Sequence, residues 1–348
     1  MGKTIQSVLD QDFADFEIII ADNASTDDSP DVIRSFKDSR LQLIENKYNI
    51  GFAPNLQQVT RHARGRYINL LSSDDIMNPG ALRTYAELIV QHPADAHRLV
   101  LMSQAWEIDG EGNVCRYITT SPDGFALTRV KVPSLAEIEA QEHHKIHRGF
   151  EVFTNCMRNL NTAGLFCSVV YSRGLWEAVE GYNSTQLINP DMHFIVKLLR
   201  LDPIVVYVNR PLYSYRNHEQ GQAAQQAKTL ILKFQTDQYN YLMQYDDNWL
   251  CGTGVTRAHQ RRVFVNRDCI DHALLAVADG RWLYGSRLLA FAWATYPSVV
   301  IRQWRVWALV FLLACGPVGI GLAWLLRFVR SMNRRIPPSL AEVSGSCG

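Results

Sequence analysis

Residues 17–27, EIIIADNASTD, decide the fold. After Glu17, EIIIA is continuously apolar instead of alternating, so it reads as a strand with no wet face, the kind found in parallel sheets covered by helices. The chain then turns polar at Asp22-Asn23-Ala24-Ser25-Thr26-Asp27. The same switch repeats outward. Lys3 to Asp10 predicts a helix, as does Ser29 to Phe36; Leu41 to Ile44 predicts a strand. Phe52, Leu56, Val59 and Ala63 then share one helical face. Tyr67 to Leu71 (YINLL) is a strand, Gly80 to Gln91 a helix and Leu99 to Gln104 a strand. This alternation over the first 105 residues predicts an α/β fold with a mostly parallel sheet and helices on both faces.

Beyond the turn DGEGN (Asp109 to Asn113), Thr119 to Arg148 shows weak periodicity and reads as a variable loop that includes His143, His144 and His147. Phe166 to Tyr171 and Ile204 to Val208 read as strands, and Pro190 to Leu201, Gln222 to Tyr245 and Thr256 to Ala278 as helices. The whole chain has 348 residues, 35 basic and 34 acidic side chains, and a net charge of +1. That length allows two domains, or one domain with an appendage. The balanced charge argues against a nucleic-acid partner, which needs a Lys/Arg excess. Seven scattered cysteines without a CxxC pair indicate neither a zinc knuckle nor a disulfide framework, and a reducing cytosol fits. Met1 to Asp15 lacks the apolar core of a signal peptide.

In open parallel sheets, ligands bind at the carboxyl ends of the strands. Three polar clusters fall at such ends: Asp22 to Asp27, then Asn46 with Asn49-Ile50-Gly51, then Ser72-Ser73-Asp74-Asp75. Each taken singly is an ordinary capped turn. Three at one sheet edge, the last with adjacent carboxylates, predict a site. Asp74 and Asp75 are hard oxygen donors of the kind Mg²⁺ or Mn²⁺ takes together with phosphates. No GxxxxGK[ST] loop is present, and no GxGxxG follows a strand, so P-loop and dinucleotide redox chemistry have no support.

Three runs, SVLDQDFADFEIIIADNASTDDSPDVI from Ser7, ENKYNIGFAPN from Glu45 and GRYINLLSSDDIMNPGAL from Gly65, resemble the nucleotide-binding half of family 2 glycosyltransferases. The likeness extends more weakly to about residue 220 through Gly181-Tyr182-Asn183, Pro190-Asp191 and Leu212 to His218. The resemblance implies a GT-A type fold, Rossmann-like, with a C-terminal helical region. It implies an inverting enzyme that moves a sugar from a nucleoside-diphosphate sugar donor to the hydroxyl of a glycan or lipid-linked acceptor. Cell-surface polysaccharide or glycolipid synthesis is the expected setting. Carried over by position, Asp22 binds the base, with Asn23 and Ser25 shaping its pocket, and Asn49 and Gly51 line the nucleotide cleft. Asp74 sits by the ribose, and Asp75 binds the Mg²⁺ or Mn²⁺ that bridges the diphosphate. Asp191 matches the catalytic base, although Pro190 replaces the acid that usually precedes it; the competing reading is a first-turn acid of the helix to Leu201. Arg216 and His218 fall where the family closes a loop over the diphosphate, and His218 joins Asp75 as a metal ligand.

The family begins with an apolar strand about a dozen residues before the helix that here starts near Lys3, and this sequence shows none. In a doubly wound sheet that strand is central, and its omission leaves two strand edges unpaired at about 1–3 kcal/mol per unsatisfied buried group. An apolar strand upstream of Met1 is therefore expected. A non-catalytic nucleotide- or sugar-binding relic is the alternative, as is a nucleotidylyltransferase. The expected organisation is a glycosyltransferase domain over 1–220 (halves 1–105 and 106–220), a helical region over 221–303, a membrane-associated segment over 304–330 and a flexible tail over 331–348. Val306 to Leu326 is free of charge, flanked by Arg302 and Arg305 and by Arg327 and Arg330. Such a run predicts contact with a membrane surface, in plane or re-entrant at Gly316-Pro317 in preference to a span, which its length also permits, on the cytoplasmic face of the plasma membrane.

Overall fold

The computed structural model describes residues 1–120, 127–183, 190–217 and 232–315. His218, the apolar run from residue 316 and the tail lie outside the described residues. Over these residues the chain forms two compact units, one of 1–153 with 162–217 and one of 154–161 with 232–315.

The first unit runs α1 (Gly2–Leu9), β1 (Ile18–Asp22), α2 (Ser29–Ser35), β2 (Leu41–Glu45), α3 (Phe52–His62), β3 (Tyr67–Asn69), β4 (Ile76–Met77) and α4 (Ala81–Gln91). It continues with β5 (Leu99–Ile108), β6 (Val114–Thr120), β7 (Leu127–Val130), α5 (Leu135–Glu139), β8 (His144–Arg148) and the start of α6 (Gly149–Asn159). Then come β9 (Val170–Ser172), α7 (Arg173–Ala178), α8 (Pro190–Arg200) and β10 (Ile204–Arg216). The expected alternation of strand and helix through Gln91 is present, with ends moved by a residue or two.

The pairing differs from the mostly parallel expectation. β1 and β2 form a parallel sheet of their own, and β5 and β10 are parallel. The other pairs among the described residues, from β3–β9 to β10–β4, are antiparallel. One cause is local: the Asp109–Asn113 turn returns β6 directly against β5, which a parallel pair cannot do. β1 is also less buried than its composition predicts, with Ile18 to Ala21 only half-buried. Among the described residues β1 pairs with β2 alone and β3 with β9 alone, so each has one edge without a strand.

The described part of Thr119 to Arg148, which leaves out residues 121–126, is not a loop. It contributes β7, α5 and β8, and His144 to Arg148 pairs antiparallel with Val208 to Ile204 of β10. HKIHR has no apolar alternation because its order comes from backbone pairing across more than fifty residues. Phe166 to Ser168 is likewise a 3₁₀ turn, and the strand begins only at Val170.

β10 is eight residues longer than the Ile204 to Val208 run predicts, because it changes neighbours midway. Its first half lies between β5 and β8, and Tyr213 and Ser214 lie between β5 and β4. The register against β5 slips between Val208 and Tyr213, where Pro211, which has no N–H to donate, is tolerated. Side chains hold the slip: Asn209 Nδ2 donates to the Glu142 carbonyl (2.7 Å) and Asn78 Nδ2 to that of Pro211 (2.8 Å). Leu99, Leu101, Val206 and Val208 pack with Tyr85 and Leu88 of α4 on one face, and Val100, Met102, Val205 and Tyr207 are buried on the other.

The second unit is helical in its described part: Lys233–Gln244, Asp247–Leu250, Arg257–Val263, a π-helical stretch Phe264–Asp271, His272–Ala278, Trp282–Thr295, Pro297–Val300 and Trp304–Ala314. Phe264, Ile270, Ala276 and Leu288 are fully buried at its centre. Among the described residues, no helix is long and apolar enough to cross a membrane.

The central packing sets an expectation for stability. Leu101→Ala, at a fully buried position, lowers the unfolding free energy by about 2–5 kcal/mol. Leu135→Ala, at a position 74% exposed, changes it by less than about 0.5 kcal/mol. Urea unfolding of both variants measures the contrast.

Candidate active site

The first cluster is built at the end of β1. Asp22 is buried, and its carboxylate accepts the Ser25 N–H (3.2 Å). The backbone reaches that bond by turning through Ala24 at φ 61°, a left-handed conformation that costs a side-chain-bearing residue about 1–2 kcal/mol. Asn23 Oδ1 accepts the N–H of Ile50 (2.9 Å) and Nδ2 of Asn46 (3.2 Å), and its own amide donates to Asn49 Oδ1 (2.9 Å). Asn49 Oδ1 also accepts the Gly51 N–H, and Gly51 caps α3 at φ 88°. Asp22, Asn23, Ser25, Asn49 and Gly51 are thus brought together, as the sequence predicts. Asn23 and Asn49 act as braces between loops: most of their polar atoms are committed to each other and to backbone.

The second cluster follows β3. Thr4 Oγ1 of α1 donates to the Ser73 carbonyl (2.8 Å), which pins the Ser72–Asp75 turn from outside. Asp75 is 1% exposed. Its carboxylate accepts the Arg216 N–H (2.8 Å), with the Cys167 thiol and the Ser72 hydroxyl as further partners. Burial raises its pKa to about 6; the Arg216 bond opposes that, and the Asp74 charge adds to it. Arg216 does more than contribute its amide. Its Nε donates to the Asp74 carbonyl (2.9 Å) and its Nη1 to those of Asp109 and Gly110 (2.8 and 2.9 Å). The guanidinium therefore ties the acidic turn to the β5–β6 hairpin. Asn217 continues the network, donating to Glu107 Oε1 (2.8 Å), while the other Glu107 oxygen pairs with Arg129 (2.5 Å).

A third group lies around Asp191, half-buried in the first turn of α8. It approaches Tyr182, whose phenol is raised well above its ordinary value by burial first, then by Tyr171 and Asp191. Tyr182 stacks on Phe194 at 4.0 Å between ring centres. Lys197 Nζ donates to the carbonyls of Val179 (2.7 Å) and Gly181 (3.0 Å) and to Asn183 Oδ1 (2.9 Å), so α8 is fastened to the Gly-Tyr-Asn turn. From α3, Gln57 Oε1 accepts the Tyr182 N–H (2.5 Å) and Nε2 donates to the Glu180 carbonyl (3.1 Å). Gly181 is required there: its φ is +63°, and a Cβ would meet Gln57 and lie 2.7 Å from the Trp176 indole nitrogen. Sequence reading missed Gln57, Lys197, Cys167 and Glu107. A lone Lys in the apolar run FIVKLL was the available signal for Lys197; the others carried none.

Among the described residues no group of three or more His, Cys, Asp or Glu is placed to hold a metal ion. Two adjacent carboxylates, one of them buried, nevertheless suit a divalent cation that takes its other ligands from phosphate and water.

Residues 1–130 match Glycosyl transferase family 2. Over these residues the chain is similar to family 2 glycosyltransferases. The Escherichia coli UDP-Glc:alpha-D-GlcNAc-diphosphoundecaprenol beta-1,3-glucosyltransferase WfaP is 46% identical over 72 residues, 21% of this chain and 29% of that protein. Glycosyltransferase GlyG of Streptococcus pneumoniae is 27% identical over 120 residues, 34% of this chain and 38% of that protein. The chain spans about a third of the length of these curated relatives. Residues 1–349 of S. aureus TarS superpose with a TM-score of 0.51 at 14% identity, covering 95% of this chain and 87% of that one. With the family 2 match, that likeness gives an α/β fold of the GT-A type with added C-terminal helices.

Two outcomes follow from this geometry. Asp75 has a folded pKa of about 6, above its ordinary 3.8, so the native state binds its proton more tightly than the unfolded chain. Its contribution therefore favours folding below about pH 4 and is lost as pH rises to about 6. In a chelator, Asp75→Asn removes that loss, and the stability difference, variant minus parent, rises between pH 4 and 6 and levels off above. Parallel curves across that range contradict the burial argument. Gly181→Ala lowers stability by about 1–3 kcal/mol through strain at a positive φ, read as a shift in the urea midpoint.

Proposed function

We propose that this chain is an inverting glycosyltransferase that moves a sugar from a nucleoside-diphosphate donor to the hydroxyl of a glycan or lipid-linked acceptor. The observation that carries this reading is the buried Asp75 beside Asp74, held by the Arg216 amide. Folding tolerates a carboxylate with so costly a charge where a ligand relieves it. In this reading Asp22, Asn23, Ser25, Asn49 and Gly51 form the nucleoside cradle and Asp74 meets the ribose. Arg216 shapes the diphosphate end by fixing the acidic turn. Mg²⁺ or Mn²⁺ on Asp75 supplies, when bound, charge neutralisation for the departing diphosphate. Asp191 takes the acceptor proton as the hydroxyl attacks the anomeric carbon from the face opposite the leaving group, which inverts the configuration.

The likeness to WfaP makes UDP-Glc the first donor to assay and a diphosphoundecaprenol-linked sugar the first acceptor. Because nucleotide sugars are cytosolic, the setting is the cytoplasmic face of the plasma membrane, with cell-surface polysaccharide or glycolipid as product. Among the described residues β1 and β3 each have an edge without a strand, which favours one second reading, a relic that binds nucleotide without turning it over.

Transfer of labelled glucose by the full chain, with and without Mn²⁺, separates the two. Asp191→Asn lowers kcat by about 10²–10⁴-fold, the usual worth of a general base, and leaves donor affinity unchanged. Asp75→Asn removes the Mn²⁺ dependence. Nucleotide binding by the parent without product from any donor supports the relic.

A further inference from the structure

The helix Trp304–Ala314 in the second unit has an inverted surface. Val306, Leu309 and Leu312 are buried along one side. On the opposite side Trp304, Trp307, Val310 and Phe311 are 75%, 53%, 41% and 61% exposed. At 100° per residue these four, with exposed Ala314, fall in one sector of about 120°. A helix that meets water on its outer face carries its charges there. This one has a single charge, Arg305, and it is turned inward, 17% exposed and paired with Asp271. The outer face contains no charged or amide side chain at all, and the Trp307 indole N–H is occupied by the Ile301 carbonyl (3.3 Å).

The flanks identify the occupant. From Arg281 to Cys315 the chain has four arginines and no acid; Arg281 and Arg305 pair with Asp279 and Asp271, and Arg302 and Ile301, just before the helix, are exposed. Onward, the sequence stays uncharged to Leu326 and resumes with Arg327 and Arg330. Tryptophans beside an apolar face suit the headgroup boundary, where a ring meets acyl chain and water together. Arg302, exposed beside the apolar face and with no acid in the flanking sequence, suits anionic headgroups, whereas an interface between proteins ordinarily has a rim of both signs.

We propose that the Trp304–Trp307–Phe311 face of this helix lies in the plane of an anionic phospholipid surface, with Arg302 at the headgroups. The proposal refines the membrane setting given above by naming the face and the lipid charge, and its test is separate from sugar transfer.

The full chain is floated with phosphatidylcholine vesicles and with vesicles in which about a third of the lipid is phosphatidylglycerol, the anionic charge that juxtamembrane arginines sense. Binding is expected with the anionic vesicles and is weakened by high salt. It falls at least about tenfold in the Trp304→Ser/Trp307→Ser/Phe311→Ser variant, a loss of about 1.4 kcal/mol, and is unchanged in Asp75→Asn. The single variant Trp304→Ser, at the most exposed position, gives a smaller loss and guards against misfolding of the triple variant, which thermal unfolding checks. Parent-like flotation of both variants overturns the proposal. So does a parent that dimerises through this face without binding vesicles, with the triple variant monomeric in sedimentation velocity. Turnover of a soluble acceptor reports the transferase reading independently: retained turnover with no flotation sinks only the membrane face, and the reverse sinks only the transferase.

Discussion

The first unit depends on one strand with two sets of neighbours. β10 keeps β5 beside it throughout but exchanges β8 for β4 across the Asn209–Pro211 slip. Without the slip, a strand of this length would present one continuous edge to a single partner. With it, the same backbone orders β8 at one end and the short β4, next to the acidic turn, at the other. Its last residues reach Asp75. Tyr213, fully buried, hydrogen-bonds Asn69 of β3 (3.3 Å), and Arg216 follows three residues later.

That placement explains how a carboxylate can be buried beside another. A buried charge is tolerated only when its oxygens are bonded, and Asp75 has the Arg216 amide, the Cys167 thiol and the Ser72 hydroxyl. The Arg216 guanidinium meanwhile holds carbonyls of the acidic turn and of the β5–β6 hairpin. One residue thus supports Asp75 by its backbone and the surrounding loops by its side chain. Substitution at Arg216 therefore disturbs the site through shape before it disturbs it through charge. In the second unit the same rule holds: Asp268 is fully buried and paired with Arg267 (2.6 Å), within the π-helical stretch Phe264–Asp271.

The polar clusters were legible because strand ends and turn residues are local. Asp22 to Ser25 and Asn49 to Gly51 do converge, and Asp74 and Asp75 do share a turn with Arg216 near. The duties within the clusters were not legible. Asn23 reads as a pocket residue but braces two loops, and Arg216 reads as a phosphate contact but grips carbonyls. A side chain's type states what bonds it can make, and only the packed neighbours state which bonds it makes. Gln57 and Glu107 illustrate the converse, since nothing in their flanking sequence marks residues whose partners lie about 125 and 110 positions away.

Hydrophobic periodicity by itself determined that this chain alternates strands and helices through Gln91, ends those strands in polar turns, and carries an uncharged run from Val306. These are local consequences of side-chain period and turn chemistry. Strand direction, the formation of β7, α5 and β8, the extension of β10 and the burial of Asp75 were decided by tertiary structure. The reason is the same for each: backbone pairing and desolvation depend on residues far apart in the chain, and no local pattern in the sequence encodes them.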